Sequence, residues 1–451
     1  MLAATASVLA CASPRGGSAP SRANGALPAD DREATWLRDH AVPLRPAITG
    51  DDDFADLEPL RDTLGRARVV VLGEGSHGEG TTFAVKARLV RFLHERLGYD
   101  VLAFESGFYE CWKAQRQIDA GEDPATAFRG AVFRVWTLSR QFQPLIDHFA
   151  AAARSPRPLE LTGFDPQFTG TLSQQFLDDL VRTAEAAGMP GEDLRARLTP
   201  GVANVVDGSY ELGELPDAKS RAEYFAALID VEARLRGAAG EGVPERAFWV
   251  HLLAGLRELT VSSWGTHWDR PLLEDRANYP VRDRVMGEHL AWLARERYPG
   301  RKIVVWMHSG HAARGLAGVQ TSRPDLNALY TTFRPAGAVA HDLLGDEMYT
   351  VAVLAHHGQH KFAVGSGAPK EILPPSPGSL EDRFHRAGVP LAFLDLRYTR
   401  GPRWLREPLV ARPSGYEEMR ARWREVFDGL IYIDAMETSE RVASPAKPAS
   451  P

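Results

Sequence analysis

The chain has 451 residues, 44% of them hydrophobic and 25% charged, with a formal net charge of −6. This is the balance of an ordinary globular protein, and its Lys and Arg are scattered without any nucleic-acid motif, so nucleic-acid and polybasic membrane partners are set aside. Its two cysteines, Cys11 and Cys111, can build neither a disulfide framework nor a cysteine zinc site, and no apolar run is long enough for a transmembrane span.

Residues 1–30 begin MLAATASVLAC and continue rich in Gly, Ser, Pro and Ala. The short apolar stretch ending at Cys11 reads as a lipoprotein signal followed by a tether, which favours export. The basic n-region of such signals is missing, and a leader on a cytoplasmic protein is the alternative. The folded domain is expected over 31–435, with a disordered tail at 436–451.

Residues 66–72 (RARVVVL) form a Val-rich run that predicts a buried parallel strand. Residues 83–97 carry apolar side chains at helical spacing and stop at Gly98; residues 100–104 (DVLAF) are the next strand. Strand, helix and strand make a βαβ unit with a right-handed crossover. Further strands are expected at 159–163, 302–307, 347–354, 390–394 and 429–433, and 172–262 reads as a helical insertion. The fold class is therefore α/β: a mostly parallel sheet flanked by helices, with a helical insertion. In such sheets ligands bind at the carboxyl ends of strands.

That edge collects the residues able to do chemistry. After the first strand comes Gly73-Glu74-Gly75-Ser76-His77-Gly78-Glu79. The run lacks the Gly-Lys-Ser/Thr ending of a phosphate loop and the spacing of a nucleophile elbow. A histidine beside a carboxylate can instead serve as general base, with Glu74 orienting His77 and water as nucleophile; the plainer alternative is a histidine capping the helix. Lys86 either holds a substrate oxygen, pairs with Glu74, or is a solvated helix residue. Glu105 ends the strand at 100–104 and is a second base, a partner for His77, or a charge at a helix start. His308 and His311 follow the strand at 302–307; without an H-E-x-x-H pattern they read as an acid or substrate-positioning groups rather than as metal ligands, a pair of structural histidines being the plainer alternative. His308 is taken as catalytic and His311 as substrate-binding. Asp165 follows the strand at 159–163. Arg282, beside Asp283, first suggests a structural ion pair; Arg282 and Asp165 complete the substrate-binding candidates. His356, His357 and His360 cluster in a loop after a strand and read as a solvated loop, with metal binding as the alternative; the tryptophans, Trp136 and Trp306 among them, read as core or pocket wall. No metal and no cofactor are assigned.

The segments VLGEGSHGEGTTFAVKARLVRFLHERLGYDVLAFES, RDRVMGEHL and IVVWMHSGHAARG together resemble the erythromycin esterase family in order, spacing and strand–helix context, over about residues 65–435. The resemblance implies metal-independent ester hydrolysis without a serine nucleophile, acting in the best-known members on the macrolactone of macrolide antibiotics. It implies that His77 activates water, that Glu74 and Glu105 are its carboxylates, and that His308 and His311 are the later histidine pair. Lys86 stands where the resistance esterases carry arginine, and Trp136–Gln141 follows the family pattern only loosely, which puts the substrate in doubt more than the reaction. The expected partner is a small-molecule ester or lactone, a macrolide among the candidates. A metal- or haem-binding protein and a non-catalytic ligand-binding module are the competing readings.

Overall fold

The uninterrupted apolar run Val69–Leu72 has all four residues buried, as a strand covered on both faces must. The structure, a computed structural model, describes residues 32–45, 53–207, 215–237, 241–265 and 279–442. The expectations for the leader, Cys11 included, and for the chain beyond 442 lie outside the described residues. In chain order the strands are β1 (Val42–Pro43), β2 (Val69–Leu72), β3 (Tyr99–Gly107), β4 (Glu160–Asp165), β5 (Lys302–Trp306), β6 (Gln320–Thr321), β7 (Met348–His360), β8 (Lys370–Ile372), β9 (Leu391–Asp395), β10 (Leu409–Ala411), β11 (Met419–Ala421) and β12 (Gly429–Met436).

The main sheet runs β1-β9-β12-β7-β2-β5-β3-β4, with β8 paired to β7. From β12 to β4 all neighbours are parallel; β1, β8 and β9 pair antiparallel. Alternation along the strands divides the core. Val70, Leu72, Leu102, Phe104, Val304 and Trp306 join the cluster on one face; Val69, Val71, Val101, Ala103, Ile303 and Val305 join the other. The helix Gly80–Leu97 covers the first face and ends at Gly98, whose left-handed φ of 76° is open to glycine without steric cost. The helices Phe176–Ala186, Ala218–Arg236, Arg246–Gly265 and Tyr279–Trp292 pack against the second. Among the described residues no helix is long and apolar enough to cross a membrane.

Three details differ from the sequence reading. β5 lies between β2 and β3, so the first βαβ unit is not a pair of adjacent strands. β7 continues to His360, well past 354, because β12 supplies hydrogen-bond partners as far as Gly358 and β8 takes over from Gly358 to His360. Residues 436–442, assigned to the tail on composition, are tied down: Thr438 bridges to Glu79 and Arg441 to Ser139. A small sheet, β10-β11-β6, stands apart from the main one.

Candidate active site

The loop after β2 is clamped by backbone hydrogen bonds from four directions. Gly73 N donates to Val351 O (2.7 Å), Ser309 N to Glu74 O (2.8 Å), Gly415 N to Gly75 O (2.8 Å) and Lys361 N to Gly78 O (2.9 Å). At Gly78 the approach is so close that a Cβ would lie 2.7 Å from the Lys361 carbonyl carbon. Glycine is required there by space.

Inside this loop Glu74 is fully buried and satisfied by three donors. Oε1 accepts from His77 Nδ1 and from Trp136 Nε1, and Oε2 from Lys86 Nζ, each at 2.7 Å. Burial pushes the Glu74 carboxyl up, but Lys86 and His77 outweigh it and hold the group below its ordinary range. Lys86 is buried as well, with its ammonium 3.9 Å from the centre of the Trp306 ring. Because Nδ1 of His77 faces a carboxylate that stays ionised, that nitrogen carries the proton and Nε2 is left as the accepting nitrogen of the ring. The ring lies edge-on to Trp136 (5.4 Å between centroids) and to His308 (5.4 Å).

The second group is centred on Arg282. Its Nη2 donates to Asp165 Oδ2 (2.6 Å) and Glu105 Oε1 (3.0 Å), and Nη1 lies 3.2 Å from His311 Nε2. Glu105 uses its other oxygen to accept from the His308 backbone N–H at 2.8 Å. Burial raises the Glu105 carboxyl, yet the charges of His311 and Arg282 hold it well below the usual range. His311 Nδ1 pairs with the buried Asp283 at 2.8 Å. Burial works against an imidazolium at His311, but Asp283 and Glu105 prevail and its pKa is raised. His308 is different. Its Nδ1 accepts from Gly310 N and its Nε2 contacts Gly75 O, both at 3.0 Å, which fixes the Nε2–H tautomer. Burial, then the neighbouring His77 and His311, push its pKa down to about 3, so the ring stays neutral.

Both groups open on one cleft. His77, Glu105, Asp165, Arg282, His308 and His311 line its polar end, while Leu316, Leu326, Leu329, Phe333, Trp423 and Phe427 line an apolar extension. Every candidate named from the sequence except Lys86, which lies on the helix Gly80–Leu97, is thus gathered at the carboxyl ends of β2, β3, β4 and β5 or on the helix Tyr279–Trp292. Glu74 and Lys86 do not line the cleft; of the readings of Lys86, a substrate-binding cation or a partner of Glu74, it is the pairing with Glu74 that is seen. Sequence reasoning missed Trp136 and Asp283 as working members. Trp136 carries an indole N–H that needs a partner when buried, and Asp283 stands next to Arg282, but neither signal points to a site by itself.

The family model described as erythromycin esterase matches residues 94–436. “Putative hydrolase YbfO” of Bacillus subtilis (strain 168) is 27% identical over 413 residues, covering 88% of this chain and 90% of that one. Erythromycin esterase type II of Escherichia coli is 23% identical over 439 residues, covering 90% and 98%. Among solved structures, a succinoglycan biosynthesis protein superimposes with a TM-score of 0.70 at 19% identity, over 91% of this chain and 98% of that one. A mutant of the erythromycin esterase EreC in its open conformation gives 0.61 at 16% identity, over 90% and 99%.

Proposed function

The chain belongs to the erythromycin esterase family, and we propose that it is a hydrolase cleaving a carboxylic ester or lactone by water activated at His77. The observation that carries this reading is the 2.7 Å contact between His77 Nδ1 and Glu74 Oε1, which leaves Nε2 as the ring nitrogen available in the cleft. A water molecule gives its proton to Nε2 as its oxygen attacks the carbonyl carbon. The imidazolium is stabilised by the buried Glu74 carboxylate. Collapse of the tetrahedral intermediate breaks the bond to the alcohol oxygen, which takes the proton back from His77 Nε2, so acid and alcohol are released with net addition of one water and His77 returns to its neutral form.

The developing oxyanion needs positive groups already in place. Arg282 supplies a fixed positive charge at the cleft wall, and His311, whose pKa is raised by Asp283 and Glu105, adds a second wherever its ring is protonated. Glu105, with both oxygens engaged, and His308, with both ring nitrogens engaged, act as positioning groups: the first holds Arg282 and the second holds the Glu74–His77 loop through Gly75 O. No step in this scheme calls on a metal or on a serine. Macrolactones are one candidate substrate class, drawn from the activity named for the Escherichia coli relative.

Mass spectrometry of wild type and His77→Ala with a panel of macrolides and aryl esters tests the reading. The expected result, with wild type alone, is a product one water heavier from a macrolactone or a separate acid and phenol from an aryl ester. Turnover retained by folded His77→Ala refutes it.

A further inference from the structure

Three imidazoles and one carboxylate converge away from the cleft lining. His356 and His357 come from β7, His385 from the last turn of the helix Leu380–Arg386, and Asp434 from β12. One ligand atom from each lies within 4.8 Å of all the others. In the parallel register Ile433 faces Ala355 and Ala435 faces His357, which sets Asp434 opposite His356. The His356 and His385 rings stack at 4.0 Å with an interplanar angle of 5°. His356 Nδ1 and His357 Nδ1 are 3.1 Å apart, and His385 Nδ1 is 2.7 Å from Asp434 Oδ1.

We propose that His356, His357, His385 and Asp434 bind one divalent transition-metal ion of the zinc class. Two imidazole nitrogens on a tetrahedral ion, each at roughly 2.0–2.1 Å, stand about 3.3 Å apart. The His356–His357 pair is already close to that spacing, and the His385 ring, stacked on His356 and more exposed, is the donor that turns to complete the set. Nitrogen-rich donors with a single carboxylate suit zinc, copper(II), nickel or cobalt, and disfavour magnesium and calcium, which prefer oxygen. The Tyr432 hydroxyl donates to Asp434 Oδ1 at 2.6 Å, the kind of outer contact that orients a ligating carboxylate, and both hydrogen bonds to Asp434 fall on Oδ1, leaving Oδ2 to the ion. The His385 side chain is 46% exposed, which gives the ion a route from solvent.

The site is structural and distinct from the hydrolytic cleft. It ties together two strands and a helix. β7 leads from it to His360, which contacts Ser76 Oγ at 3.0 Å, and on to Phe362, whose ring centre is 6.3 Å from that of His77. An ion here therefore anchors the strand that backs the His77 loop, without touching the reacting atoms.

The test uses the untagged full chain, stripped with chelator and titrated with cobalt(II) and then zinc(II). One equivalent of cobalt(II) is expected, with the visible absorption of a four-coordinate site, displaced by zinc(II), and with a rise in melting temperature. His385→Ala, exposed enough to leave the fold intact, and His357→Ala each weaken binding at least tenfold; His77→Ala leaves it unchanged. Absence of saturable binding overturns the proposal. So does a stoichiometric site that survives His385→Ala and His357→Ala, or one lost in His77→Ala, which would put the ion in the cleft.

Discussion

Replacing Glu74 with glutamine changes one atom, yet the surroundings make it a severe perturbation. The carboxylate accepts three hydrogen bonds, from His77, Trp136 and Lys86. An amide has one accepting end and one donating end. With its oxygen toward His77 and Trp136, its NH2 faces the buried Lys86 ammonium. Removing one partner of a buried ion pair costs about 3–5 kcal/mol, and that is an upper bound, since burial already pushes the Lys86 pKa down and the amine can shed its proton. With the amide turned the other way, its oxygen satisfies Lys86, but its NH2 now faces His77 Nδ1. His77 must then accept at Nδ1 and carry its proton on Nε2, the nitrogen that has to be free for water.

The wrong tautomer is known to cost about 10⁴-fold in kcat when the carboxylate of a histidine–carboxylate pair becomes an amide. At 1.36 kcal/mol per tenfold this is about 5.4 kcal/mol of transition-state stabilisation. The assay is kcat/KM on the best substrate from the ester panel, with folding followed by circular dichroism. The double variant Glu74→Gln/Lys86→Met separates the two effects: it recovers most of the melting temperature, because the uncompensated ammonium is gone, but not the activity. A folded Glu74→Gln protein within tenfold of wild-type activity refutes the assignment of His77 as base oriented by Glu74.

Two further outcomes follow from the titration of buried groups. Asp283→Asn removes the carboxylate that most raises the His311 pKa; the protonated ring then persists to a lower pH only, so the alkaline fall of kcat/KM moves to lower pH, and an unmoved limb excludes His311 as the cation of the site. Glu110, whose Oε2 is buried without a partner, has its pKa pushed up by burial to about 8. The folded state therefore holds a proton that the unfolded chain releases near the ordinary carboxyl value, and stability falls as pH rises from about 4.5 to 8. Glu110→Gln should flatten that slope in chemical denaturation, gaining stability at pH 9 relative to wild type but not at pH 4; parallel slopes would contradict a protonated Glu110.

What could be read from the sequence was what depends on a single segment. Val69–Leu72 is apolar at every position and Lys302–Trp306 nearly so, so both are recognisable as covered strands wherever they sit in the sheet. The residue following such a strand lies at the ligand edge whatever the strand order, which is why Glu74, Glu105, Asp165 and His308 could be named in advance. Roles were harder, because they depend on what arrives from elsewhere. Lys86 could be placed on a helix by periodicity, but whether it faced substrate or Glu74 depended on the helix's seating over Trp306. Strand order decides still more. Only because β5 inserts between β2 and β3 does His308 come beside His77 and take its backbone hydrogen bond to Glu105. The stretch AHHGQH makes the same point in the other direction. Read alone it is polar and looks like a loop, since nothing local reveals that β8 and β12 will pair with it. His385 and Asp434 then reach His356 through the β7–β12 register and the helix laid over it, contacts between residues up to 78 positions apart in the chain. The histidine cluster itself is visible in the sequence as a conceivable metal binder, but its other two donors, His385 and Asp434, are supplied by register and packing rather than by spacing.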